Sequence, residues 1–334
     1  MNGSDSAART EVEPVPAGQK ETGGVWRLSG DFLFHKAAVF AAFLAAAALF
    51  ATVIAIACDS WPSIQVFGVW RFIKSDEWNP VTQTFGAFSF IIGTLVSSAI
   101  AMVLAIPISF GTAVFIAEIA PPWIKKPVAG AIELLAAIPS IVYGLWGLLV
   151  FAPIFSNIEP WITQTFGNIP GIGVLFQGPP MGIGMLTAGI VLAIMILPYI
   201  SSIMRDVFLV VPGSLRESAY AMGCTTWEVA WNIILPYTRS AVVGGIFLGL
   251  GRALGETMAV TFVIGNSDSI SSSLLMPSAT IPSVLANEFT EATTPLYVSS
   301  LIYLGLVLIA VTLIVRFLAV LLIRRLGSRE GASA

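Results

Sequence analysis

Six stretches of about twenty predominantly apolar residues, near 37–58, 86–107, 128–152, 183–204, 240–264 and 296–316, constrain this chain more than any other feature. At about 1.5 Å per residue, each is long enough as a helix to cross a hydrocarbon core about 30 Å thick. Lipid offers no partners to backbone N–H and C=O groups, so continuous apolar stretches cross it as helices. The expected fold class is an all-α integral membrane protein with six transmembrane helices. Composition agrees: 56% of the residues are hydrophobic and 10% are charged, against roughly a quarter charged in a soluble domain.

The second stretch runs on into Ile108–Ala120, which reads as helix continuing past a kink at Pro107 to a stop at Pro121-Pro122. Counting it as a separate span would invert everything downstream, and charge decides against that. With six spans, one side receives the leader, Lys125, Lys126, Arg205, Arg216, Arg239, Arg324, Arg325 and Arg329. The other side receives Arg71 and Lys74, with no Lys or Arg in 156–182 or 266–295. Basic residues mark cytoplasmic loops, so both termini are expected in the cytoplasm. Residues 1–30 read as a disordered polar leader, 31–326 as the membrane domain and 327–334 as a tail. The leader is not a signal peptide, because the apolar stretch after Lys36 has spanning length. Trp61, Trp70, Trp78 and Trp161 are expected at headgroup level. The Gly- and Pro-rich segment 156–182 reads as a covering or partly re-entrant loop. Cys58 and Cys224 fit no metal spacing, and His35 is the sole histidine, so no metal site is expected.

The longest cytoplasmic loop, 211–239, reads as two short helices. Ser214 with Glu217, and Thr225 with Glu228, are each spaced as a capping box. Gly223 is placed to end the first helix in a left-handed conformation, and Pro236 to close the second. Small residues Ser218, Ala219 and Ala221 would let another protein approach. Within this loop, Glu217-x-Ala219, Gly223 and Ile233-x-Leu235-Pro236 match the pattern E-A-A-x3-G-x9-I-x-L-P, with Ser218 in place of its first alanine. The loop resembles that of type I ABC importer permeases, with their MetI-like fold. The resemblance implies that Glu217, Ser218, Ala219, Gly223, Ile233, Leu235 and Pro236 form a coupling surface for an ATPase subunit. None of the lysines follows a glycine, so no Walker A loop exists here. The chain is therefore expected to be a permease and not an enzyme, with no catalytic residues.

The fifth stretch holds "GRALGET", with Arg252 and Glu256 one helical turn apart among apolar residues. Arg252 lies about 12 residues past Ser240, roughly 18 Å into the core and close to its midplane. Two readings stand. The pair locks the bundle, or the guanidinium lines a path and meets an oxyanion with its planar fork of donors. Pro139 and Ser140, mid-way in the third stretch, read either as a kink or as a substrate contact. Glu133 and Glu118 are expected to pair with Lys125, Lys126 or Arg205, and Arg316 to snorkel to the inner interface.

"LGLGRALGETMAVTFVIGN" (248–266) and "IPSIVYGLWGL" (138–148) resemble the PstC family, membrane subunits of phosphate-specific importers. That resemblance implies a bacterial plasma membrane location and a substrate pathway containing Arg252 and Glu256, with Ser140 a further candidate. It implies no cofactor on this chain, ATP and Mg being held by the ATPase. The implied partners are a second, PstA-like permease subunit, two PstB-like ATPase subunits, an extracytoplasmic PstS-like phosphate-binding protein, phosphate and the lipid bilayer, with no nucleic acid. Another oxyanion such as molybdate or sulfate remains an alternative cargo. A channel or secondary transporter gated by Arg252 and Glu256 is a third reading, disfavoured by the coupling loop.

Overall fold

The computed structural model describes residues 24–327. Every regular element among them is helical: α1 (Gly24–Asp59), α2 (Trp61–Phe67), α3 (Val69–Lys74), α4 (Phe88–Val114), α5 (Pro122–Ala137), α6 (Ser140–Trp146), α7 (Ala152–Phe166), α8 (Met185–Leu209), α9 (Gly213–Ala221), α10 (Thr226–Val229), α11 (Leu235–Leu254), α12 (Met258–Val263), α13 (Ile281–Glu288) and α14 (Pro295–Gly327). Most of the expected leader and all but one residue of the tail lie outside the described residues; α1 begins at Gly24, within the segment expected as leader. The chain divides into two units, residues 1–54 and 55–334. The first contains α1 up to Ile54, and the packing described below lies within the second.

Six helical runs are long and apolar enough to cross a membrane: Phe32–Asp59, Phe88–Ile119, Ser140–Phe166, Met185–Leu209, Thr226–Leu254 and Pro295–Ile323. The second runs past Pro107 through a π-helical turn, Phe115–Ile119, and ends where Ala120 turns extended before Pro121-Pro122. Several boundaries differ from expectation. The third span starts at Ser140 rather than near 128, and the fifth runs Thr226–Leu254 rather than 240–264. The third also continues as α7 to Phe166, so the covering loop begins later than 156. Glu159 of α7 is buried, and its Oε2 accepts the Gly182 N–H at 2.9 Å, which folds that loop back over the helix.

Helix α8 is the axis of the core. Val191, Leu192, Met195, Ile196 and Ile200 are buried on it against α4 and the following helices. A second cluster lies toward the loop ends, where Phe72, Phe85 and Phe90 pack with Tyr297 and Tyr303. Here one expectation fails. Trp61, Trp70 and Trp161 are exposed as headgroup residues should be, but Trp78 is buried in this cluster. Its indole Nε1 donates to Glu288 Oε2 at 2.8 Å, and Tyr297 donates to the same oxygen at 2.6 Å. An indole with a buried partner gains more from the aromatic core than from the interface. Nearby, burial and then the charge of Glu288 push the Asp268 carboxyl up to about 6.

The six spans give a direct prediction of sidedness. A cysteine placed at Ser269, between α12 and α13, should react with an impermeant thiol reagent from outside intact cells. One at Thr225 should react only after the cytoplasmic face is opened. Labelling of Thr225 from outside would overturn the orientation.

Candidate functional site

Two helix breaks build the site. Proline pushes the residue before it toward extended backbone, and Ile138 (ψ 131°) and Pro139 (ψ 137°) are both extended. Pro139 therefore does not kink a continuous span, as the sequence suggested; it separates α5 from α6, and Ser140 is the first residue of the new helix. Tyr143, one turn on, reaches back over the break and donates its hydroxyl to the Leu135 carbonyl at 2.9 Å.

The second break falls inside "GRALGET". Helix α11 ends at Leu254, Gly255 leaves helical geometry (φ −96°, ψ 3°), and α12 starts only at Met258. Glu256 lies in the break, where its Oε1 accepts the Ala259 N–H at 3.3 Å and so serves a free donor of the first turn of α12. Arg252 and Glu256 thus do not share one face of a continuous helix. Among the described residues no ion pair joins them; the pairs present are Arg205 with Glu133 and Asp206, and Arg216 with Glu118.

Arg252 sits in the last turn of α11, where the unpaired carbonyls at the helix end favour a cation. Its guanidinium carbon lies 5.2 Å from the centroid of the Tyr199 ring on α8. It also lies within electrostatic reach of the Tyr143 hydroxyl. The two breaks are drawn together at Gly144, where a Cβ would come within 2.8 Å of Phe262 and 3.0 Å of the Ala259 backbone, both on α12. Ser140 makes no hydrogen bond to Arg252 or Glu256 among the described residues, so its proximity to the break is the only support for a pathway role. Arg316 of α14 packs against α11: its Nη2 lies 3.6 Å from where a Cβ on Gly251 would stand, beside the residue preceding Arg252.

The loop between α8 and α11 also departs from expectation at three points. Helix α9 begins at Gly213 behind Pro212, so Ser214 is already helical and forms no capping box with Glu217. A proline with φ near −60° starts a helix by itself. The Thr225–Glu228 box does form, with Thr225 N–H on Glu228 Oε2 at 2.7 Å and Glu228 N–H on Thr225 Oγ1 at 3.3 Å. Pro236 does not close the second helix, because a π-helical turn, Ala230–Ile234, carries α10 into α11 and leaves Pro236 in the first turn of α11. Finally, Ala219 is buried (1% exposed) and packs inward, while Glu217, Ser218, Leu215, Tyr220, Met222 and Trp227 face out. Ile233 and Leu235 anchor the loop on the α8 core.

Gly223 adopts φ +88°, the left-handed geometry expected of it, with open space around its Cβ position. Gly223→Val should therefore strain the backbone by about 1–2 kcal/mol without a clash. The expected result is weaker retention of an ATPase subunit in co-purification, while Gly223→Asn, which tolerates this geometry, retains it. Equal retention by the two variants would contradict the turn's role.

Arg216 is a residue the motif did not single out. It reaches from α9 back into the membrane domain, pairing with Glu118 at 3.0 Å and donating to the Phe208 carbonyl at the end of α8. Glu118 was expected to pair with a lysine or Arg205; instead Lys125 donates to the Ala117 carbonyl at 2.7 Å. Glu133 does pair with Arg205, at 2.9 Å.

A family model described as "Binding-protein-dependent transport system inner membrane component" matches residues 105–328. A phosphate transport system permease protein PstC of Xylella fastidiosa is 54% identical over 302 residues, covering 90% of this chain and 93% of that protein. The chain belongs to the PstC family. The PstC of Mesorhizobium japonicum is 50% identical with 90% and 92% covered. The probable PstC of Methanocaldococcus jannaschii is 34% identical, with 80% and 85% covered. Among solved structures, a chain of a bacterial alginate ABC transporter superposes with a TM-score of 0.59 at 16% identity, covering 88% of this chain and 95% of that one. A chain of the MetNI methionine ABC transporter gives 0.52 at 14%, covering 75% and 99%. The PstC-family chain thus has the fold of type I ABC importer permeases, and it is a multi-pass membrane protein.

Proposed function

We propose that this chain is one of two permease subunits of an ATP-driven phosphate importer, and that phosphate passes Arg252 at the paired helix breaks. The observation that carries the reading is that Arg252 has no carboxylate partner among the described residues. A guanidinium at membrane depth without an internal counter-charge is costly unless it lines a cavity and meets an anion. Two tetrahedral oxygens of phosphate suit its fork. The half-helices that frame it belong to a common device of transporters, in which irregular backbone is confined to the substrate site.

The outward face of α9 and the following turn is the docking surface for the ATPase, a PstB-like subunit present twice, which binds the ATP and Mg. A PstA-like second permease completes the path, and a PstS-like protein delivers phosphate from outside. Both termini are cytoplasmic, and the membrane is the bacterial plasma membrane.

The test is reconstitution of the four-component complex in liposomes, with labelled phosphate outside and ATP inside. Uptake should require ATP and all components, and excess sulfate or molybdate should leave it intact. Uptake of sulfate or molybdate in preference to phosphate, or uptake without the ATPase, would contradict the proposal.

A further inference from the structure

We infer that Tyr199 is the positioning residue for Arg252: its ring face seats the guanidinium while leaving the N–H fork free for the anion. The inference rests on the reading that Arg252 meets phosphate, and it adds how the arginine is aimed. A long flexible cation with no fixed partner would spread over several rotamers, and ordering it is costly in side-chain entropy. An ion pair with Glu256 would fix it, but would also occupy the donors and cancel the charge that an anion needs. The structure shows neither arrangement. Glu256 is turned to the α12 backbone, and the guanidinium carbon stands 5.2 Å from the Tyr199 centroid. A ring attracts a cation through its quadrupole within about 6 Å of the centroid, and more strongly out of water. It accepts no N–H in the plane of the guanidinium fork, so it holds the group without neutralising it.

Tyr199 is itself well held. It follows the buried Pro198 on α8, the most buried of the spans. Its neighbour Ile200 is fully buried against the core, so the ring is fixed to a rigid element. The Tyr199 hydroxyl makes no hydrogen bond among the described residues, which assigns the role to the ring face rather than to the oxygen. Tyr143 lies on α6 and commits its hydroxyl to the Leu135 carbonyl.

The test compares substitutions at 199 in the reconstituted complex, reading maximal phosphate uptake and ATPase retention separately. Tyr199→Phe should keep uptake near the wild-type rate. Tyr199→Leu should lower the maximal rate roughly tenfold while the ATPase is retained. Phenylalanines of increasing fluorination at 199 keep the ring's shape and withdraw its quadrupole, so uptake should fall stepwise with fluorination. That series stays informative even where the leucine variant fails to assemble. A flat fluorine series, or full uptake with Tyr199→Leu, would overturn the inference. Arg252→Gln separates the two levels: if it abolishes uptake while the fluorine series is flat, only the role of Tyr199 fails. If it transports normally, the pathway reading fails as well.

Discussion

Arg252→Gln should lower phosphate uptake by roughly 100-fold, the factor that corresponds to about 3 kcal/mol for a lost charge-assisted hydrogen bond. Glutamine keeps much of the length and some hydrogen-bonding capacity, so the loss is electrostatic. The protein should still insert and assemble, because among the described residues no carboxylate loses its counter-charge when Arg252 is replaced. Glu256 keeps its own bond to the Ala259 N–H whether or not residue 252 is charged. For the same reason Glu256→Gln should be mild, since an amide oxygen can accept that N–H. Uptake assays on assembled complexes, normalised to the amount of subunit, check both. A lock between the two side chains would give the opposite result, with each single variant damaging assembly to a similar degree.

The second large effect is expected at Arg216, which ties the docking helix to the membrane domain. Its partner Glu118 has a side chain only 5% exposed, so removing Arg216 leaves a buried carboxylate without its counter-charge, a change that costs about 3–5 kcal/mol. Arg216→Met should therefore detach α9 from the ends of α4 and α8. The measurable outcome is loss of binding-protein-stimulated ATP hydrolysis, with phosphate-independent hydrolysis by the free ATPase unchanged. The double variant Arg216→Met with Glu118→Leu replaces the pair by apolar groups and should recover assembly better than Arg216→Met alone. Equal damage in single and double variants would mean that Arg216 acts through the Phe208 carbonyl alone.

The spans were legible in the sequence because hydropathy over about twenty residues reports burial in lipid directly. Gly223 and the Thr225–Glu228 box were legible too, since their geometry is set by neighbouring residues. Other features depend on partners distant in the chain, or on backbone geometry to which hydropathy is blind. The run 240–264 is apolar well beyond Arg252, Glu256 and Thr257 on both sides, so hydropathy does not mark the end of α11 at Leu254. Pro139 was visible, but whether a proline kinks a helix or separates two depends on what packs across the gap, here α12 against Gly144. Ser214 has the spacing of a cap, yet Pro212 starts the helix ahead of it. Trp78 looked interfacial because its acceptor, Glu288, lies 210 residues away. Tyr199 and Arg216 carried no motif signal, and only the packing of α8 against α11, and of α9 beneath α4 and α8, brings them to their partners.

The most direct measurement is phosphate uptake by an assembled complex carrying Arg252→Gln together with Glu256→Gln. Removing both charges leaves neither side chain as the isolated ion created by a single substitution, so assembly, ATPase retention and basal ATP hydrolysis should match the wild type. If Arg252 is the cation that phosphate meets between the two helix breaks, this complex transports no phosphate. Uptake at the wild-type rate would contradict that role and reduce Arg252 and Glu256 to charges the bundle merely tolerates.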